Sequence, residues 1–208
     1  MPLINPGWGA TGAADTPFRW LRTVPGELFA ADVAERLARE FPADSFVRRE
    51  TDGAGSDKSY RNSSRVLAGP ETPSDAAPLP RIWADLLTEL LDADYRKEVA
   101  RILGRSPAAE LEIRLVRHGG RDWLSPHTDR PDKSFSHVVY FTPGWRPEWG
   151  GCLQLLGSAS PDDVVQTVVP ELGASALFER CDSSWHQVSA VAGHAPSDRL
   201  SLLVHGRA

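Results

Sequence analysis

The chain reads as a mainly β protein, a sandwich or barrel, preceded by a helical section. Three observations point there. After Glu110, seven short β-rich runs (LEIRLV, SHVVYF, GCLQLL, DVVQTVV, ASALFE, WHQVSAV and RLSLLV) follow one another, separated by Gly, Pro and Asp clusters. No helix-length apolar period lies between them, which disfavours a parallel α/β sheet. The 17 Gly and 17 Pro of the 208 residues mark frequent turns rather than a bundle of long helices.

The elements before the β-rich half follow from apolar spacing. Phe29, Val33, Leu37 and Phe41 stand four residues apart, which predicts a helix over Glu27 to Phe41, stopped by Pro42. After Pro80, a longer stripe of Ile82, Trp83, Leu86, Leu87, Leu90, Leu91, Tyr95, Val99 and Leu103 predicts a second helix ending at Gly104. DGAGSDK and AGPETPSDAAPLP, between the two, are loops by composition.

A chain of 208 residues can bury a sizeable core as one domain. Its formal charge of -5 argues against the broad basic surface that nucleic acid requires, so a small molecule or peptide is the expected partner. The first thirty residues lack the basic start and apolar run of a signal peptide, and no stretch approaches the roughly 18 apolar residues of a membrane span. The expected setting is cytoplasmic, with Cys152 and Cys181 as reduced thiols.

His127-Thr128-Asp129 places two metal-capable side chains at i and i+2, which in a strand project from one face. By itself a His-x-Asp is weak evidence. His186, in the β-run WHQV, is the candidate third ligand, and two imidazoles with one carboxylate make the facial triad of non-haem Fe(II) oxygenases, with three coordination positions left for a bidentate cosubstrate and O2. Arg199-Leu200-Ser201 likewise puts two polar side chains on one face of an apolar strand. An inward Arg there calls for an anion, which a carboxylate would supply to its planar fork with the Ser hydroxyl as a further donor; the alternative is an Arg on the solvent face.

Taken together, these motifs resemble the prolyl-4-hydroxylase-like branch of the Fe(II)/2-oxoglutarate dioxygenases, over about Leu111 to Val204. HGGRDWLSPHTD is similar to that family's Tyr-x-x-Gly-x-x-Leu-x-x-His-x-Asp, with Leu124, His127 and Asp129 in place, His118 where the family often has Tyr, and Arg121 at the Gly position beside Gly120. VVYFTPGWRPEWGGCLQL resembles its strand, Trp-containing loop and Gly-Gly-x-Leu, carried by Gly150, Gly151 and Leu153. VVPELGASALFE resembles the run before the distal histidine, His186, and Arg199 with Ser201 resembles the Arg-x-Ser variant of the basic site.

The resemblance implies a double-stranded β-helix, or jelly roll, with helices packed on one side. It divides the chain, as a single oxygenase domain, into a helical, substrate-covering segment (1–109) and a jelly-roll catalytic core (110–208). It implies Fe(II) held by His127, Asp129 and His186, with 2-oxoglutarate and O2 as cosubstrates. Arg199 and Ser201 would anchor the distal carboxylate of 2-oxoglutarate, and His118 would line that site. The implied reaction couples decarboxylation of 2-oxoglutarate to succinate and CO2 with hydroxylation of an unactivated C–H bond. Asp129 fills the position that related halogenases leave open for chloride, so halogenation is not expected.

For the substrate, the expectation is a small amino acid or an amino-acid-derived metabolite. Alternatives are a prolyl residue in a peptide or protein and, more distantly, a non-redox metal-binding jelly roll. Arg130 and the polar stretch Ser56 to Arg65, with Tyr60, Arg61, Asn62 and Arg65, are candidate substrate contacts, the stretch reading equally as a surface loop. Trp145 and Trp149 read as loop anchors. His137 reads as a hydrogen-bonded core residue, and His194 and His205 as bystanders. GAGSDKS lacks the glycine before Lys of a phosphate loop, no Gly-x-Ser-x-Gly elbow occurs, and Asn62-Ser-Ser is a glycosylation sequon without an evident secretory route.

Overall fold

The computed structural model describes residues 2–53, 58–73 and 77–207. In chain order the elements are β1 (Trp20–Thr23), α1 (Ala31–Arg39), β2 (Val47–Thr51), β3 (Tyr60–Ala68), α2 (Arg81–Leu91), α3 (Ala93–Leu103), β4 (Glu110–His118), β5 (Trp123–His127), β6 (Lys133–Tyr140), β7 (Leu153–Leu156), β8 (Val164–Val168), β9 (Ser175–Glu179), β10 (His186–Val188) and β11 (Arg199–Arg207). The strands pair antiparallel in the order β1-β9-β6-β11-β4-β3-β5-β10-β7-β8, with β2 on the outer edge of β3. One edge of β3 is divided between two partners: Ser63 to Ala68 pair with β4, and Tyr60 and Arg61 with β5. That strand joins two facing halves into the expected jelly roll, with a cavity between them lined from both.

The period of two in a strand decides what each residue does. On β4, Leu111, Ile113 and Leu115 face the helices while Glu112, Arg114, Val116 and His118 line the cavity. On β11, Leu202 and Val204 join the helix side while Arg199, Ser201, Leu203 and His205 line the cavity. The helices lay Leu37, Ile82, Trp83, Leu86, Leu90, Val99 and Ile102 on the outer face, all 3% exposed or less, so this layer is dry and the sheet behind the cavity is held rigid.

The predicted second helix is two. Asp92 is extended (φ -65°, ψ 152°), and its carboxylate accepts from the Asp94 N–H at 2.8 Å, so it ends α2 and caps α3. The apolar stripe runs through this break because both helices pack on the same sheet. Gly104, at φ 65°, ends α3 in the left-handed conformation. The first helix begins at Ala31 rather than Glu27, since Phe29 is engaged in a β-bridge with Ile4. Residues 1–109 supply β1, β2 and β3 as well as the helices, and β3 lies inside the sheet path rather than over the site as a covering loop. Ser56 and Asp57, at the start of the polar stretch, lie outside the described residues, as do parts of both predicted loops.

His137 is packed on the helix side of β6, stacked on Trp8 (ring centroids 5.1 Å apart, 5° between planes). Its Nδ1 meets the Tyr95 hydroxyl and its Nε2 the Ser175 hydroxyl, each at 2.8 Å. Burial lowers its pKa from the ordinary 6.5 to about 3. The folded state therefore refuses a proton that the unfolded chain takes up, so the stability His137 confers is complete above about pH 6.5 and lost as pH falls towards 3. Between about pH 6.5 and pH 5 the unfolding free energy should drop less in His137→Gln than in the parent chain, by about 1.5 kcal/mol. Parallel denaturant titrations at the two pH values check this, and identical pH slopes would contradict it.

Candidate metal and cosubstrate site

His127 closes β5 and His186 opens β10, and the two are direct partners across the antiparallel pair, with ring centroids 4.2 Å apart. Asp129 lies just past the end of β5, and its carboxylate comes within 4.0 Å of His186 Nε2. One ligand atom from each of the three lies within 4.8 Å of the others, and all three side chains are buried. His127 Nδ1 donates to the Ser125 carbonyl (3.0 Å) and His186 Nδ1 to the Ser184 carbonyl (2.9 Å). A carbonyl can only accept, so each Nδ1 carries the proton and each Nε2 keeps its lone pair for a metal.

The electrostatics agree with that protonation. Burial pushes the pKa of His127 well below its ordinary value, with the neighbouring His186 adding to the effect; His186 is lowered by burial, partly offset by Asp129. Both rings are thus ready to ligate without first losing a proton. Burial raises the Asp129 carboxyl, but His205, Lys133, His186 and His127 outweigh it and hold the group well below the usual carboxylate range. Two neutral imidazoles and one carboxylate with room beside them are what a hexacoordinate Fe(II) needs from a protein.

Deeper in the same cavity of about 450 Å³, Arg199 is 2% exposed. Its Nη1 approaches His118 Nδ1 and Ser201 Oγ, each at 3.2 Å, and its guanidinium lies 5.0 Å from the Tyr140 ring centre. No Asp or Glu among the described residues pairs with it. Arg199 Nε, His118 Nε2 and the Tyr140 hydroxyl are buried without hydrogen-bond partners. Buried donors left unsatisfied cost about 1–3 kcal/mol each, so this end of the cavity is built to receive an anion, and the residues present fit a carboxylate.

The sequence profile of the 2OG-Fe(II) oxygenase superfamily matches residues 115–205, the stretch that supplies this whole donor set. Over that stretch the chain is similar to the 2OG-Fe(II) oxygenase superfamily. The mouse prolyl 3-hydroxylase OGFOD1 is 26% identical over 120 residues, which cover 56% of this chain but only 22% of that protein. Among solved structures, a Pseudomonas putida prolyl-4-hydroxylase shares the fold at 19% identity (TM-score 0.63, 90% of this chain and 91% of that one). So does a prolyl hydroxylase from Trichoplax adhaerens, solved with a hypoxia inducible factor peptide fragment, at 13% identity (TM-score 0.64, 90% and 83%). Fe(II), 2-oxoglutarate and O2 are the cofactor and cosubstrates that the oxygenase superfamily implies.

The other expected site residues divide by strand face. Tyr60 and Asn62 line the cavity, as does Arg130, which is otherwise exposed and paired with Asp132 at 3.1 Å. Arg61 and Arg65 are a correction. They project from the opposite face of β3, Arg61 to Glu50 (2.7 Å) and over Trp123, Arg65 to Asp44 (2.5 Å) and the Ala77 carbonyl, so neither lines the cavity. Trp145 is buried, bonded to the Gly150 carbonyl, with Trp149 edge-on against it, away from the cavity lining. Arg121, at the family's Gly position, has φ 69°, the left-handed conformation that favours glycine.

Sequence reading missed four residues. Tyr140 completes the anion pocket; Ser136, Lys133 and His205 surround Asp129. Counting by two from Arg199 and Ser201 leads to His205, a signal that its place near the chain end obscured. No described helix is long and apolar enough to cross a membrane.

His127→Ala, and separately His186→Ala, should each abolish stoichiometric Fe(II) binding while leaving the fold intact, because the remaining ligands cannot hold the ion facially. Anaerobic metal titration with circular dichroism checks both. Parent-like affinity in either variant removes that histidine from the site.

Proposed function

We propose that this protein is an Fe(II)- and 2-oxoglutarate-dependent hydroxylase of an unactivated C–H bond in an amino-acid-like substrate. His127, Asp129 and His186 hold the metal. Arg199, Ser201 and His118 hold the distal carboxylate of 2-oxoglutarate, with Tyr140 beside them. The observation that carries this reading is the buried, acid-free Arg199 in the same cavity as the two histidines and aspartate: a metal-binding jelly roll without 2-oxoglutarate chemistry has no use for it. With O2, bound iron and 2-oxoglutarate supply the oxidising power that converts C–H to C–OH as succinate and CO2 form.

The chain's own residues do the rest. Arg199 fixes the far end of the cosubstrate by charge, and Val116, Val138, Leu153, Phe178, Val188 and Leu203 wall the cavity with apolar surface that excludes water from the metal. Tyr60, Asn62, Arg114 and Arg130 offer donors to the carboxylate or amide of an amino-acid substrate. A small amino acid or amino-acid-derived metabolite is our first choice, suited to a cavity of about 450 Å³. The second reading, a prolyl residue within a peptide, is favoured by the prolyl hydroxylases among the similar proteins. Incubation with Fe(II), 2-oxoglutarate, O2 and either free amino acids or proline-containing peptides, read by mass for one added oxygen, separates the two.

Arg199→Leu should raise the 2-oxoglutarate requirement far more than that for the primary substrate. Losing a buried, charged, hydrogen-bonded pair costs about 2–5 kcal/mol, roughly 30-fold to several thousand-fold in affinity. Steady-state titration of each substrate checks this, and a parallel rise in both would make Arg199 structural. Asp129→Gly should lose most hydroxylation, and the parent enzyme should give hydroxylated product even in abundant chloride. A chlorinated product from the unmodified chain, recognised by its isotope pattern, would remove Asp129 from the metal.

A further inference from the structure

We propose that Ser136 and His205 are positioning residues for the metal's carboxylate ligand, a two-step hydrogen-bonded relay that fixes Asp129 and tightens Fe(II) binding. The inference rests on the reading of His127, Asp129 and His186 as the iron site. Ser136 on β6 and His205 on β11 are direct partners across the antiparallel pair, both on the cavity face. Ser136 is 1% exposed and His205 5%, and Asp129, beside them, is 5% exposed.

The directions of the bonds follow from the chemistry of the groups. An ionised Asp129 can only accept, so the Ser136 hydroxyl donates to Oδ2 at 2.5 Å. That spends the one proton of the serine, which must then accept from His205 Nδ1 at 2.7 Å. His205 Nδ1 is itself 4.0 Å from Asp129 Oδ2, too far for a direct bond, so the serine is the link. The other carboxylate oxygen meets Lys133 Nζ at 3.3 Å, and the Asp129 backbone carbonyl accepts from Arg180 Nε at 3.1 Å. Of the contacts on the carboxylate, the one through Ser136 is the shorter. Without it the carboxylate would be held only through the longer Lys133 contact at Oδ1, and could turn about its terminal bond to present the wrong oxygen, or neither, to the ion. Partners that orient a ligand from behind typically account for 10–100-fold in metal affinity. His205, which its sequence context marks as a bystander, thereby acquires a role.

The test is Fe(II) affinity of the full chain, measured anaerobically by chelator competition without 2-oxoglutarate, so that turnover plays no part. Ser136→Ala and His205→Leu should each weaken binding roughly tenfold to a hundredfold, and the double variant no more than the weaker single, because both break one chain. His205→Asn, whose amide nitrogen stands near the place of Nδ1 and can donate to Ser136, should restore affinity close to that of the parent. A residue needed only for packing would not be rescued in this way. Parent-like affinity in folded Ser136→Ala, additive losses in the double variant, or an Asn variant as weak as the Leu variant would each overturn the proposal. Should His205→Leu fail to fold, Ser136→Ala decides alone. If Asp129→Ala binds Fe(II) as tightly as the parent, the iron-site reading itself fails, an outcome distinct from failure of the relay.

Discussion

A guanidinium taken out of water without a counter-ion costs several kcal/mol, and the chain bears that cost at Arg199. Burial depresses its pKa, and the described residues around it offer a phenol, a hydroxyl, an imidazole and a thiol rather than a carboxylate. Such an arrangement survives only when the surrounding scaffold is stable enough to impose it. The dry layer of helices on the outer face of the sheet supplies that stability, and the alternation along β11 sends Leu202 and Val204 to the helices while Arg199 and Ser201 go to the cavity. One strand thus carries both the core and the anion site.

The same alternation organises the metal end. His127 and His186 face each other because β5 and β10 pair antiparallel with these residues opposite, and each ring is aimed by the carbonyl two residues before it. Local backbone geometry sets both rotamer and tautomer before any ion arrives. The cavity thus brings together the buried charge of Arg199, the candidate ligands His127, Asp129 and His186, and a set of charged side chains in which Arg49, Arg114 and Arg130 accompany Glu71 and Glu112.

Much of this was legible in the chain. Alternating polar residues in RLSLLV point to an inward Arg or to one on the solvent face, and a His-x-Asp followed at a distance by WHQV offers three candidate ligands, because those residue types are costly inside an apolar sheet unless they have work to do. What failed to show has physical causes. YRNSSRVLA is too polar to read as a strand, yet it is β3, because its cavity face is lined by Tyr60, Asn62 and Ser64 and its outer Arg61 and Arg65 are satisfied by Glu50 and Asp44. The helix break at Asp92 is invisible to an apolar period that both helices share. Arg121 hides a left-handed turn behind a residue that rarely adopts one. Ser136 becomes visible only when strand pairing sets it beside His205.

On the proposed function, the buried Arg199 is there for the distal carboxylate of 2-oxoglutarate. Calorimetric titration of the anaerobic, Fe(II)-loaded protein with 2-oxoglutarate, and with 2-oxovalerate, which keeps the chelating end and chain length but lacks the second carboxylate, tests this directly. 2-Oxoglutarate should bind at least about 30-fold more tightly. Equal affinity for the two would contradict it.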